Sequence, residues 1–265
     1  MTVSNIEATR WGYSKFFDSL TLPDRRESFP LSSVPAVILC GGRNLRLKEV
    51  TFDICPKHVI QLTRSQVVLD YPISFLREAG VQRIILATVG HAVDQIRGWY
   101  RANALGGIYY SVQEEAKGII SALAQTLGEF KINTPFIIAM GDEVITRASL
   151  REMYGDHVLN NHPISVLVTD HLEARNNFVA WLAYNQRITK VERLLEKSRM
   201  KGAFTVAGLW IVNLEWFPLL KGAGNWEEFI QNSCRNGLVF GHPSHCQFSN
   251  VNTPSDLYRI RSLKS

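Results

Sequence analysis

From Val34 onward, short apolar runs rich in β-branched residues alternate with segments whose apolar positions recur at helical spacing. This alternation is typical of βαβ units packed around a mostly parallel sheet. The runs that we interpret as strands are 34–39, 83–89, 107–112, 135–140, 164–169 and 203–213. We therefore expect an α/β fold with three layers, in which helices cover both faces of the sheet.

Turn and capping residues locate the helices between these runs. A helix near 66–79 should end at Gly80, because glycine readily adopts the left-handed conformation that closes a helix. The last helix should begin at Thr253, with Pro254 at the first helical position and Asp256 three residues after the cap. The other predicted helices run near 91–102, 118–128, 149–159 and 226–236.

The chain has 265 residues, and no linker rich in Gly, Ser or Pro divides 34–265. We therefore predict a single domain over 34–265, preceded by an N-terminal extension over 1–33. With 46% hydrophobic and 20% charged residues, the composition is that of a globular protein.

The apolar runs are too short to cross a bilayer, which takes roughly 18 residues. Glu7, Arg10 and Lys15 interrupt the N-terminus, so it lacks the continuous apolar region of a secretory signal. The four cysteines have no C-x-x-C spacing and are interpreted as reduced thiols. These features predict no membrane association and a cytoplasmic location.

The net charge and its distribution bear on which class of ligand the protein binds. The 29 basic residues exceed the 24 acidic ones, which gives a formal charge of +5, yet the basic residues are spread along the chain without a long run. This distribution favours a small phosphate-bearing substrate over a nucleic-acid groove.

The most informative segment is AVILCGGRNLRLKEVTFDICPK, residues 36–57. A loop at the carboxyl end of a parallel strand is where α/β folds bind ligands, and glycines there let backbone N–H groups approach phosphate oxygens. A glycine pair and several basic residues follow this strand, which indicates a triphosphate site. The alternative is an ordinary strand-to-helix turn with basic residues on the surface.

The segment resembles the opening motif of the sugar nucleotidyltransferases, also called nucleotide-sugar pyrophosphorylases, which reads roughly AVILAGGxGTRLxPxTxxxPKPLxPV. The resemblance continues through VQEEAKG, PFIIAMGDEVIT, LLEK, VAGLWIVN and NVNTPSDL towards the C-terminus. It implies a Rossmann-like sheet of the GT-A type and a nucleotidyltransferase domain over 34–265. The Rossmann dehydrogenases are disfavoured, because the first loop lacks G-x-G-x-x-G.

The resemblance also implies roles for individual residues. The catalytic group would be Arg46, Lys57 and Asp142, with Lys57 on the α-phosphate or the departing pyrophosphate. The nucleotide-binding positions would be Gly41, Gly42, Arg43, Asn44, Gln113 and Gly118, of which Gln113 and Gly118 read the base. Asp142 and Asn250 would stand at the Mg²⁺ positions. Glu196 would contact the sugar hydroxyls and Lys197 the sugar phosphate, beside Gly208.

Some of these positions depart from the family pattern. Asn44 and Leu45 replace a Gly-Thr pair, and Asn250 replaces an aspartate, although a neutral amide is a weaker Mg²⁺ ligand than a carboxylate. A second hypothesis is therefore a catalytically weakened or non-catalytic paralogue that binds nucleotide sugars in a regulatory or structural role. Molybdenum-cofactor guanylyltransferases close with a similar NVNTPEDL, so asparagine at position 250 is compatible with catalysis.

The leading hypothesis is a Mg²⁺-dependent nucleotidyltransferase that joins an NTP and a sugar or cyclitol 1-phosphate. Gln113 resembles the glutamine that reads pyrimidines in part of the family, and this resemblance favours UTP or dTTP. CTP and GTP stay open, and a homo-oligomer is compatible with the sequence. Simpler interpretations are a solvated helix face for KVERLLEKSRMK and a turn-capping role for Asp142. We interpret the segment containing His242, His245 and Cys246 as a loop rather than a zinc site.

Overall fold

The computed structural model describes residues 30–42, 45–51, 55–102, 107–146, 148–170, 178–193 and 203–262. Within these residues the strands are β1 (Ala36–Leu39), β2 (Ile84–Val89), β3 (Ile108–Gln113), β4 (Phe136–Met140), β5 (Glu143–Thr146), β6 (Ile164–Thr169), β7 (Phe178–Leu182), β8 (Ile188–Arg193), β9 (Phe204–Val212), β10 (Val239–Ser244) and β11 (Gln247–Asn250). The α-helices are α1 (Lys48–Thr51), α2 (Asp70–Glu78), α3 (Gly90–Ala102), α4 (Ile119–Glu129), α5 (Leu150–Leu159), α6 (Phe217–Gly222), α7 (Trp226–Arg235) and α8 (Pro254–Ser262).

The central sheet has the strand order β10-β6-β9-β4-β1-β2-β3. Neighbouring strands are parallel except at β9, which runs antiparallel to both β4 and β6. β7 and β8 form a hairpin that joins the sheet through β9. The predicted α/β fold with a mostly parallel sheet is confirmed.

Helices cover both faces of this sheet. Every residue of β1, β2, β6 and β9 is buried, as expected for strands with two covered faces. On one face, Leu76 of α2, Ile96 of α3 and Met153 of α5 join the core. On the other face, Leu123 of α4 and Phe229 of α7 do the same. The three predicted layers are therefore present in a single domain.

A third, smaller apolar cluster lies beside the sheet and joins distant parts of the chain. Its buried members are Leu47, Ile60, Leu62, Val68, Val144, Val251, Leu257 and Ile260. The two-stranded sheet of β5 and β11 lies next to it, with Glu143 paired with Asn250. The C-terminal helix α8 is thereby packed against the segment that follows β1.

All six predicted strands are confirmed, with ends that differ by at most two residues. Gly80 ends α2 with φ at 101°, as predicted. The capping of α8 is also confirmed, because the Asp256 N–H donates to Thr253 Oγ1 at 3.2 Å and the Thr253 N–H donates to Asp256 Oδ2 at 2.8 Å. The start of α2 is four residues later than predicted, because the backbone of Val68 and Leu69 bonds to the carbonyls of Ile60 and His58 instead.

Two interpretations of the sequence are wrong in part, and residues 194–201 of the first segment lie outside the described part of the chain. The segment predicted to carry a solvated helix face begins in β8, since residues 190–193 pair with β7 through a hairpin turn at Gln186, whose φ is 64°. His242 lies in β10, parallel to β6, and not in a loop, whereas His245 and Cys246 lie between β10 and β11 as predicted. Charged residues in β8 (ITKVER) and the Gly and Pro in β10 (VFGHPS) gave these two strands a weak strand pattern. Residues 1–29 of the predicted extension lie outside the described part of the chain.

No helix in the described ranges has the length and apolar character needed to span a membrane.

A hydrogen-bonded histidine cluster lies at the amino end of β6, at the sheet edge away from the carboxyl ends of the parallel strands. His157 Nδ1 contacts Ser165 Oγ at 2.9 Å, and its Nε2 contacts Asn213 Oδ1 at 2.9 Å. The ring of His162 stacks on Phe240 at 4.0 Å. Burial is the main cause that lowers the pKa of both His157 and His162. For His162 the pKa falls to about 4, with further lowering by His157 and His242 and an opposing effect of Asp156. His242 itself is paired with Asp156 at 2.9 Å.

This cluster predicts a loss of stability in mild acid. The folded pKa of His162 lies below the unfolded value of 6.5, so the unfolded chain takes up the proton first as the pH falls from about 6.5 towards 4. We expect His162→Gln to reduce the drop in unfolding free energy between pH 7.5 and pH 5 by about 1 to 2 kcal/mol. Urea unfolding of both proteins at the two pH values measures this. An equal drop in the variant would show that His162 does not carry the pH dependence.

Candidate active site

The predicted phosphate loop follows β1 at the carboxyl edge of the sheet. Gly41 and Gly42 are exposed directly after this strand, and Gly42 has φ at 119°, a conformation that favours glycine. A Cβ on Gly42 would meet open space, so what requires glycine here is the backbone conformation. Arg46 follows in a 3₁₀ turn, Leu45–Leu47, and is exposed. Arg43 and Asn44 lie outside the described residues.

Lys57 and Asp142, which the sequence predicted as site residues, are in contact. Lys57 opens a 3₁₀ turn, Lys57–Val59, and Asp142 lies in the turn between β4 and β5. The Lys57 ammonium group donates to Asp142 Oδ2 and also to Asn252 Oδ1 at 2.9 Å. The Lys57 and Asp142 side chains are 15% and 17% exposed, so this ion pair is largely shielded from water. Three segments that are far apart in sequence therefore meet at one cation.

Asn252 is a site residue that the sequence analysis missed. The resemblance placed Asn250 at the second metal position, and Asn250 lies at the end of β11, paired with Glu143. The Val251 N–H donates to the Asp142 carbonyl at 2.8 Å, so this closing segment is adjacent to the predicted Mg²⁺ ligand. Asn252, two residues after Asn250, supplies the amide oxygen that contacts Lys57. The signal was present in the motif NVNTPSDL, which contains both asparagines.

Tight packing under this site explains why glycine precedes Asp142. A Cβ on Gly141 would lie 2.9 Å from both Cys40 Sγ and the Leu39 carbonyl oxygen, and 3.0 Å from His58 Cδ2. His58 is buried, and neither of its ring nitrogens has a hydrogen-bond partner among the described residues. Burial, and to a lesser extent the charge of Lys57, lowers the pKa of His58 to about 3, so its ring is neutral. Lys57 and Asp142 therefore lie against a buried histidine that carries no charge.

Glu143 is a second residue that the sequence analysis missed. Its carboxyl group is buried and accepts a hydrogen bond from the Gly208 N–H at 2.6 Å. Burial, together with the neighbouring charge of Asp142, raises the pKa of Glu143 to about 8. Gly208, which the resemblance placed beside the sugar phosphate, therefore donates its N–H to this side chain. Nothing in the spacing of charged residues distinguished Glu143 from a solvated carboxylate.

The residues predicted to read the base also lie at the carboxyl ends of the parallel strands, next to β3, the outermost strand of the sheet. Gln113 is the last residue of the edge strand β3 and is buried, and its Nε2 donates to Ser121 Oγ at 3.0 Å. Gly118 caps α4 with φ at 88°. Gly90, directly after β2, lies next to Gln113, since a Cβ on Gly90 would be 3.8 Å from the Gln113 carbonyl oxygen. Glu196 and Lys197 lie outside the described residues.

The oxygen ligands of the site suit Mg²⁺. Among the described residues, no three or more His, Cys, Asp or Glu side chains are placed to hold a metal ion together. Mg²⁺ commonly takes one or two carboxylates and fills its remaining positions with water and substrate phosphates. The Asp142 carboxylate and the Asn252 amide oxygen converge on the same ammonium group. Asp142 could therefore hold Mg²⁺ together with the phosphates of a bound nucleotide.

Comparison with protein-family models gives a match to the model described as Nucleotidyl transferase, over residues 35–260. This match covers most of the chain. The chain belongs to the nucleotidyl transferase family. The matched range begins just before β1 and ends within α8, so it includes both glycines of the loop together with Lys57, Asp142 and Asn252.

Two curated relatives are similar in sequence to parts of this nucleotidyl transferase. The D-glycero-α-D-manno-heptose 1-phosphate guanylyltransferase of Campylobacter jejuni is 32% identical over 104 residues, which is 39% of this chain and 45% of the relative. The bifunctional protein GlmU of Geotalea uraniireducens is 27% identical over 145 residues, 53% of this chain and 29% of that protein. The chain thus spans less than half the length of these curated relatives.

A crystal structure from Bacillus anthracis shares the fold. It was assigned as a glucose-1-phosphate thymidylyltransferase and was solved in complex with sucrose. The TM-score is 0.74 at 20% sequence identity, and the alignment covers 87% of this chain and 95% of the other. At 20% identity this similarity supports only the fold of the present chain.

Proposed function

We propose that this protein transfers a nucleotidyl group from an NTP to a sugar or cyclitol 1-phosphate and releases pyrophosphate. The observation that carries the proposal is the convergence of Lys57, Asp142 and Asn252 beside β1, the strand that leads into the Gly41 and Gly42 loop. Family membership supports it, and so does the name of the heptose 1-phosphate relative. The domain proposed to carry this activity is 34–265.

The chemistry requires charge neutralisation more than proton transfer. The second pKa of a phosphate monoester is about 6, so a sugar 1-phosphate is mostly a dianion near neutral pH and needs no general base. One of its oxygens attacks the α-phosphorus of the NTP, and the bond from that phosphorus to the β-phosphate oxygen breaks as pyrophosphate leaves. Negative charge therefore moves onto the leaving group, where fixed cations stabilise it.

The residues of the site divide this work. The Lys57 ammonium, which contacts Asp142 and Asn252, is proposed to contact the α-phosphate or the departing pyrophosphate. Backbone N–H groups at Gly41 and Gly42 can approach the triphosphate closely, with Arg46 as a second cation. When bound, Mg²⁺ would offset the charge of the triphosphate oxygens. Holding both anions in line is the remaining contribution of the protein.

Base and sugar selection complete the proposal. We assign base reading to Gln113 and Gly118, which favours UTP or dTTP, while the guanylyltransferase relative supports GTP. CTP also stays open. Glu196 is proposed to contact the sugar hydroxyls and Lys197 the sugar phosphate, beside Gly208. A cytoplasmic location accords with four cysteines that are unlinked by disulfide bonds.

A substrate matrix tests the proposed function. The purified protein is incubated with each of the four common NTPs and a set of hexose, heptose and cyclitol 1-phosphates in Mg²⁺, and pyrophosphate release is measured. Turnover with at least one pair is expected. NTP-dependent thermal stabilisation without any pyrophosphate release would instead support the non-catalytic binding paralogue.

Gln113→Ala is expected to weaken base selection with little effect on the chemical step. A buried amide left without its partner costs about 1 to 3 kcal/mol, which is a factor of roughly five to over a hundred between bases. The ratio of kcat/KM between the best and second-best NTP should therefore fall in Gln113→Ala, while kcat for the best NTP changes less.

Gln125→Ala provides the matched control for this substitution. Gln125 lies on α4, the helix that carries Ser121, the hydrogen-bond partner of Gln113. Gln125 is exposed and donates its side-chain N–H to the Val112 carbonyl at 2.9 Å. It should leave the ratio between NTPs unchanged. An unchanged ratio in Gln113→Ala would show that another residue reads the base, and an equal loss of kcat with every NTP would place Gln113 at the reacting centre.

A further inference from the structure

The central antiparallel strand β9 departs from regular pairing where it passes the candidate site. Its pairing with β4 runs from Val212 to Leu209. Its register with β6 shifts between the pairs Val166 with Trp210 and Val168 with Val206. Such an irregularity interrupts the ladder and leaves backbone groups in need of other partners. Gly208 lies inside this interval, and its N–H donates to Glu143 Oε2 at 2.6 Å.

Glu143 and Gly208 are also matched in shape. A Cβ on Gly208 would lie 2.7 Å from Glu143 Oε1 and would overlap Met140 Cγ. The carboxyl group therefore occupies the space that a side chain at position 208 would need. Glycine at 208 and a long acceptor side chain at 143 depend on each other.

The same side chain is joined to the catalytic turn through the backbone. Glu143 directly follows Asp142, and in the β5–β11 pair it is opposite Asn250. The Asp142 carbonyl accepts the Val251 N–H at 2.8 Å. Glu143 thus connects the turn that carries Asp142 with the amino-terminal half of β9. That half of β9 lies at the same sheet edge as the carboxyl end of β4, because the two strands are antiparallel.

We propose that Glu143 is a positioning residue that fixes the Gly208 segment of β9 against the Asp142 turn, and thereby the seat of the sugar 1-phosphate. This inference rests on the proposed nucleotidyl transfer. The interaction depends on reach and on an acceptor oxygen. A glutamine keeps both, whereas an aspartate is one methylene too short to reach Gly208.

Three substitutions separate reach from charge. Glu143→Gln should leave both KM values within about twofold of wild type, because its amide oxygen still accepts the Gly208 N–H. Glu143→Asp and Glu143→Ala should each raise KM for the sugar 1-phosphate by about tenfold, with a much smaller change in KM for the NTP. Amide hydrogen exchange at Gly208 should be slow in wild type and Glu143→Gln, and faster in the other two.

Asp156→Asn is the matched control, since Asp156 is a buried carboxylate that is bonded to His242 on another part of the sheet. It should lower stability without separating the two KM values. The proposal is overturned if Glu143→Gln is as impaired as Glu143→Ala, or if the two KM values rise together as in a general loss of structure. If wild type releases no pyrophosphate with any substrate pair, the proposed function fails, and hydrogen exchange still decides whether Glu143 holds Gly208.

Discussion

Lys57→Ala is expected to lower kcat by on the order of a hundredfold or more, because it removes a preorganised cation from the charge that develops on the departing pyrophosphate. The loss should exceed that of a single hydrogen bond, since Asp142 and Asn252 both orient this ammonium group. Steady-state pyrophosphate release with the best substrate pair measures the effect. Arg46→Ala is expected to act in the same direction, because Arg46 is the second cation of the loop.

Arg235→Ala is the control for loss of a basic side chain. Arg235 is exposed at the end of α7, away from the loop after β1, and its removal should leave kcat unchanged. Wild-type turnover in a folded Lys57→Ala variant would show that Lys57 does not act at the reacting centre. The contact with Asp142 would then have a structural role alone.

Asp142→Asn is expected to raise the Mg²⁺ concentration needed for half-maximal activity by on the order of tenfold or more, because an amide oxygen is a weaker Mg²⁺ ligand than a carboxylate. Asn250→Asp should change the same quantity in the opposite direction if position 250 faces the metal. A Mg²⁺ titration of pyrophosphate release at saturating substrates distinguishes the two. Asn252→Asp provides a comparison at the neighbouring asparagine that contacts Lys57.

The ordering of these variants is decisive. If Asn252→Asp, and not Asn250→Asp, lowers the Mg²⁺ requirement, the second metal position belongs to Asn252. A response to Mg²⁺ that stays unchanged in Asp142→Asn would contradict the assignment of this carboxylate as a ligand.

The sequence predicted those parts of the molecule that leave a local pattern. β1 and β6 were found because strands buried on both faces appear as continuous apolar runs. The pairing of Lys57 with Asp142 is compatible with the predicted strand ends, since parallel strands place their carboxyl ends at one edge of the sheet.

Other parts depend on contacts between distant segments, which one sequence does not encode locally. The antiparallel insertion of β9 between β4 and β6 follows from tertiary packing, because its apolar residues fit either direction equally well. The contact of Asn252 with Lys57 spans 195 residues. Glu143 has the sequence appearance of a surface acid, and its burial follows from the missing side chain at Gly208.

The small apolar cluster beside the sheet gives the C-terminal segment its own local stability. Val251, Leu257 and Ile260 pack in it against the segment after β1, apart from the two large clusters of the sheet. Proteins open in cooperative units whose free energies are lower than that of global unfolding. We therefore expect the last strand and helix to open at a lower free energy than the central sheet, and such an opening would take Asn252 away from Lys57. The free energy of this local opening of β11 and α8, rather than that of global unfolding, would then set how long the contact between Lys57 and Asn252 persists.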